Sequence, residues 1–205
     1  MRGFGKYLRE VSVVILGVAV TLIATNWISN RGEKKDLELY LDAVELELED
    51  NLKQLEIAKN FMNQAHRLGE YFKSTKLENL NADSIKPYYN VLNEAYLFVY
   101  KAGAFDMLKT SGAMRLIKDK ELVLDIWQSY SNLERYKAEH DMYMTEKSSM
   151  MTSLYYQYED LGDIEEFIDI FLDPKNSQLR VFYKSRGGGA IWSCINQVKK
   201  TLAKF

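Results

Sequence analysis

Two histidines, one cysteine and a run of three glycines are the residues of this chain whose chemistry would mark an active site, and none of them sits in a spacing that makes one. A di-metal carboxylate centre in a helical bundle needs Glu three residues before each His. His66 and His140 follow Asn63 and Lys137 instead, which also removes the HExxH pattern of zinc proteases. His66 with Glu70, or His140 with Glu139 and Glu146, offers too few ligands fixed by spacing to hold a metal ion. Cys194 is the sole thiol, so an intramolecular disulfide, a zinc knuckle and a CxxC redox pair are all excluded. Gly187-Gly188-Gly189 lacks the Lys-Ser/Thr of a phosphate loop and reads as a bend. GxSxG and SxxK patterns are absent. The sequence therefore assigns no catalytic residue, no cofactor and no metal.

Weaker signals remain. Tyr88, Tyr89, Tyr155, Tyr156 and Tyr158 would line a ligand pocket or pack rings-in with hydroxyls at the rim. Tyr96, Phe98 and Trp127 are the residues around which an apolar pocket would form if the domain were a sensory or ligand-binding module. Lys and Arg number 27 against 29 Asp and Glu, interleaved throughout, and a net charge of −2 does not suit a nucleic-acid partner.

The elements that would position these residues begin with a basic tail, residues 1–10, carrying Arg2, Lys6 and Arg9. An uncharged run follows, VSVVILGVAVTLIATNWIS over residues 11–29. As a helix it spans roughly 28 Å, the thickness of a bilayer core, and its expected partner is lipid. A cleaved signal peptide and a buried core helix are the competing readings; no convincing A-x-A site supports the first. Charges near the run place the N-terminus inside by a narrow margin, with residues 30–205 on the periplasmic side of a bacterial inner membrane. Gly17, Thr21 and Thr25 share one helix face and form a small-residue stripe suited to helix association.

From Asp36, Leu37, Leu41, Val44, Leu48, Asn51 and Leu55 recur at alternating steps of four and three, continuing to Phe72. That heptad seam predicts packing against another helix of the chain or of a second subunit, and Asn51 is a polar residue in it of the kind that fixes register or oligomer state. A break over residues 76–86 precedes Pro87, with Asp83 or Ser84 expected to cap the next helix. That helix is predicted over residues 88–108 and, being apolar and aromatic on several faces, central in the bundle. Gly112 is placed to close a helix in the left-handed region. The next helix starts after Asp119 and carries Leu122, Ile126, Ser129, Leu133, Tyr136, His140 and Tyr143 as its stripe, to about Asp160 and Gly162. His140 falls on that stripe, so protonation there would loosen packing. Asp163 and Glu166 form a capping-box pair, Asp173-Pro174 stops the short helix they start, and Ile191, Ile195, Val198 and Leu202 line a last helix. Lys199, Lys200 and Lys204 suit its macrodipole. No alternating strand pattern of useful length competes. The expected fold is all-α: an N-terminal transmembrane helix, a long amphipathic helix and an antiparallel helical bundle.

The opening GKYLREVSVVILGVAVTLIATNWISNR, with the acidic heptad helix behind it, resembles a family of membrane-anchored Bacteroidota proteins that has no assigned activity. LKTSGAMRLIKDKELVLDIWQSY, residues 108–130, is similar to a second pattern of that family. Together the likeness covers most of residues 5–60 and 95–135. It departs at Thr25-Asn26-Trp27, where two Asn often precede Trp. The resemblance implies an anchor and a bundle and carries over no site residue. With no catalytic motif, the function expected is structural or interaction-based in the envelope, with a second copy or another envelope protein as partner.

Overall fold

The computed structural model describes residues 2–158, 163–184 and 189–205. All regular structure among them is helical. The elements are α1 (Arg2–Ser74), α2 (Ala82–Ile85), α3 (Tyr89–Asn93), α4 (Gly103–Thr110), α5 (Lys120–Gln157), α6 (Ile164–Leu172), α7 (Ser177–Lys184) and α8 (Gly189–Leu202), with single 3₁₀ turns between several of them. Two compact units form: Met1–Glu45 with Gly103–Lys120, and Leu46–Ala102 with Glu121–Phe205.

In the first unit, α1 runs through Gly32 without a break. Among the described residues no helix is long and apolar enough to cross a membrane. Of the apolar run at 11–29, only Leu16 and residues 18–23 have described side chains. Gly112 adopts φ 72°, the left-handed conformation expected after α4. The two glycines predict opposite outcomes. A Cβ at Gly32 meets nothing within 4 Å on regular helix, so Gly32→Ala is expected to stabilise by about 0.5–1 kcal/mol. Gly112→Ala is expected to cost about 1–2 kcal/mol, because the left-handed backbone itself is strained for a side chain. Denaturant midpoints of the two variants check both signs.

The second unit holds a core of Leu48, Leu55, Ala65, Leu68 and Phe72 from α1 with Ile126, Leu133 and Leu154 from α5, Phe167, Ile168 and Phe171 from α6, and Cys194, Ile195 and Val198 from α8. Chain direction here departs from an antiparallel bundle. Glu47 accepts from the Tyr130 hydroxyl at 2.6 Å, and further along both helices the Lys147 ammonium lies 5.3 Å from the Phe61 ring, so α1 and α5 run parallel. Heptad spacing carries no directional information, and the long connection over residues 75–119 gives the chain room to return before α5 starts. The last helix, α8, opposes both: Lys199 pairs with Glu56 at 2.9 Å and Lys59 lies over Trp192, while Lys200 and Lys204 reach Asp125 and Lys204 reaches Glu121. Those lysines thus serve specific ion pairs; the two on Asp125 hold its carboxyl down at about 2. On α8 it is Thr201, hydrogen-bonded to Ser129 at 2.8 Å, that is fully buried, and Leu202 is half-buried.

The largest departure lies at residues 88–108. Helix α3 stops at Asn93, Glu94 turns to an extended backbone (φ −90°, ψ 145°), and no helix resumes until Gly103. Residues 94–102 form a strap with strand-like alternation: Phe98 is buried, Leu97 and Val99 are exposed, and Tyr96 and Tyr100 are half-buried. The aromatic and β-branched run Tyr-Leu-Phe-Val-Tyr favours that form over a helix. A smaller correction concerns one cap. Asn81, not Asp83 or Ser84, caps α2 by accepting from the Ser84 amide. Asp163 caps α6 through the Glu165 and Glu166 amides, while Gly162, Gly187 and Gly188 lie outside the described residues.

Candidate functional site

A strap without a partner strand must satisfy its peptide groups some other way, since buried unpaired backbone costs as much as a lost hydrogen bond. Here buried polar side chains from the flanking helices do so. Asn51, 1% exposed on α1, acts as a small β-ladder: its Nδ2 donates to the Lys101 carbonyl and its Oδ1 accepts from the Lys101 amide, both at 2.8 Å. From α5, His140, 3% exposed, meets the Tyr96 carbonyl with Nε2 at 2.6 Å. Seven residues on, Lys147, 2% exposed, donates to the Val91 carbonyl at 2.7 Å and to the Glu94 carbonyl. The Tyr183 hydroxyl from α7 adds a second bond to Val91 at 3.1 Å.

Aromatic rings close around this polar line. Phe98 packs edge-on against Tyr136 at 4.8 Å and against His140 at 6.2 Å, and Tyr96 stacks on Phe61 at 5.9 Å. Because Nε2 of His140 faces a carbonyl it must carry the proton, and Nδ1 then accepts from the Tyr136 hydroxyl at 3.4 Å. Burial lowers the imidazole's proton affinity, partly opposed by the bond to Tyr96. Burial likewise brings Lys147 down to about 8 and raises the Tyr136 phenol.

The arrangement is chemically a clamp. Both imidazole nitrogens are occupied, the Lys147 ammonium is turned to two carbonyls, and burial pushes the Cys194 thiol up to about 12, far from a reactive thiolate. Among the described residues no three His, Cys, Asp or Glu side chains gather as a metal site.

The sign of the His140 effect follows from its lowered folded value. As pH falls below the ordinary 6.5, the unfolded chain takes a proton that the folded one resists, so stability declines from neutral pH toward pH 5. We expect a lower melting temperature at pH 5 than at pH 7.5, by roughly 2–4 °C for each kcal/mol lost. In His140→Gln that difference should shrink, and an unchanged difference would show that other groups carry it.

The other candidates are dispersed. Leu37 and Leu41 are half-buried, Val44, Leu48 and Leu55 fully buried. Thr21 is exposed, and the side chains of Gly17 and Thr25 lie outside the described residues. His66 is exposed, and Glu70 bonds Lys73 at 2.7 Å. Tyr155 and Tyr156 face solvent, Tyr158 accepts from Asn176, and Tyr89 packs edge-on to Phe167, so no single tyrosine pocket forms. Trp127 is exposed, whereas Tyr96 and Phe98 belong to the clamp. Lys147 escaped the sequence reading, although it continues the four-three stripe from His140 and Tyr143; a lysine on a seam was the available signal. No family model, curated protein or solved structure matches the chain.

Proposed function

We propose that the chain is a single-pass membrane protein whose helical domain, residues 30–205, has a structural or protein-interaction role in a bacterial envelope, outside the inner membrane. The observation that carries this reading is the exposure of Leu16, Val18, Val20, Leu22 and Ile23, each more than half exposed. At 100° per residue these side chains spread over roughly 200° of the surface of α1, and each would lose roughly 1.5–3 kcal/mol by staying in water rather than an apolar medium. Lipid removes that cost, and the uncharged stretch from Val11 to Ser29 has the length to use it.

The interaction role rests on the strap. Leu97 and Val99 are 71% and 62% exposed on a segment held by buried side chains, so apolar groups are presented on a fixed backbone. Membership of the Bacteroidota family that the opening resembles belongs to the same reading, as does self-association through Gly17, Thr21 and Thr25. Alkaline carbonate extraction tests the anchor. The intact chain is expected in the membrane pellet, with a Val18→Arg/Leu22→Arg double variant shifting to the supernatant; recovery of the intact wild-type chain in the supernatant would refute it. Activity of alkaline phosphatase fused after Phe205 tests the side of the membrane.

A further inference from the structure

We infer that the cleft between α5 and α8 is a binding site for a small polyhydroxylated carboxylate, of the uronic-acid type, anchored by Arg135. This goes beyond the interaction role proposed above and does not depend on the strap. The cleft is an open groove of about 630 Å³, room for a sugar-sized molecule, and is lined by Gln128, Asn132 and Arg135 of α5 and by Ser193, Asn196, Gln197 and Lys200 of α8. Facing helix surfaces ordinarily carry mixed acids and bases. This lining has amides, a hydroxyl and two cations, and no carboxylate and no apolar side chain.

Asn132 is the buried member of this lining. It is only 6% exposed, and its Oδ1 accepts from both Gln128 Nε2 and Arg135 Nη2 at 3.3 Å. Guanidinium nitrogens only donate, so the amide cannot be turned round. Its Nδ2 is thereby aimed away from both partners, with no acceptor among the described residues. Ser193 and Asn196 likewise have side chains without a protein partner there. These donors face solvent, and an acceptor-rich ligand would take the place of water on them.

Charge decides the class. Lys200 is held on Asp125 at 2.7 Å, and Gln197 donates to the same carboxylate at 3.2 Å. Arg135 has no carboxylate partner among the described residues, so one full positive charge is available. The planar fork accepts either anion, but one charge balances a single carboxylate and leaves a phosphate dianion in excess. The ligand's hydroxyls then fall to Asn132, Ser193 and Asn196.

Isothermal titration of the full chain in detergent micelles, with D-glucuronate, D-glucose and inorganic phosphate as probes, tests this. Saturable glucuronate binding is expected, at least tenfold tighter than glucose or phosphate, and at least tenfold weaker in Arg135→Gln. Arg135 and Ser193 are surface residues, so Arg135→Gln and Ser193→Ala should leave the fold intact by circular dichroism. Ser193→Ala is expected to weaken binding severalfold. Absence of saturable glucuronate binding, equal or tighter binding of glucose or phosphate, or undiminished binding in Arg135→Gln overturns the assignment.

Discussion

Lys147→Met is expected to cost little stability at pH 7 and about 2–3 kcal/mol more at pH 10, the reverse of what removing an ordinary lysine would do. Methionine fills most of the lysine stem's space, and it relieves the core of a charge whose desolvation is large. Against that relief stand the lost donors to the Val91 and Glu94 carbonyls and the lost contact with the Phe61 ring. Val91 keeps the Tyr183 hydroxyl and Glu94 lies at an exposed position, so the two sides nearly cancel at neutral pH.

Alkali separates them. The ammonium sheds its proton near pH 8 in the folded protein, against an ordinary value of 10.5, while the unfolded chain keeps its proton to that higher value. Between those two values the unfolded state binds more protons, so the wild type gains stability as pH rises. The full gap corresponds to about 3 kcal/mol. A neutral amine still donates to both carbonyls, without the cost of a buried charge, and methionine has no such gain. Urea unfolding of wild type and variant at both pH values reads the difference, and ionisation of other groups cancels between the two proteins. A gap that does not widen with pH would mean that the Lys147 nitrogen stays hydrated.

The all-helical class and the seams of α1 and α5 were legible because their periodicity is long and their caps are local chemistry. Asn51 and His140 were visible as polar interruptions of those seams. What they do was not visible, since their partners are peptide groups at Lys101 and Tyr96, on a segment remote in sequence. The run Tyr96 to Tyr100 fits a buried helix as well as an extended strap when apolar pattern is the only guide. The balance is set by side chains that arrive from elsewhere in the fold. The parallel course of α1 and α5 was hidden for a related reason: it depends on where residues 75–119 take the chain. The α5–α8 cleft left no mark either, because amides at helical spacing read as solvated surface until two such faces are opposed.

Asn51→Leu is the test of the strap itself, and it is expected to destabilise by about 2–3 kcal/mol despite improving the hydrophobic seam. Leucine has better helix propensity and suits the heptad, both of which favour the variant by a few tenths of a kcal/mol. The loss is larger, because the amide and carbonyl of Lys101 forfeit a two-point partner at once, each worth about 1 kcal/mol net and more where no replacement is found. A cleft of about 360 Å³ beside Asn51, Val99 and Lys101 lets water recover part of it, which keeps the figure below that of two fully orphaned groups.

A local readout separates strap release from general weakening. Lys101 is exposed, so trypsin cleavage after it should accelerate in Asn51→Leu under native conditions. Leu48→Ala, one turn away on the same seam, is expected to cost about 2–5 kcal/mol by leaving a cavity, yet it leaves the Asn51–Lys101 pair in place. Cleavage at Lys101 should therefore be faster in Asn51→Leu than in Leu48→Ala when the two are compared at matched global stability. Equal rates would mean that the strap opens only with the whole unit, and that Asn51 holds register without holding the strap.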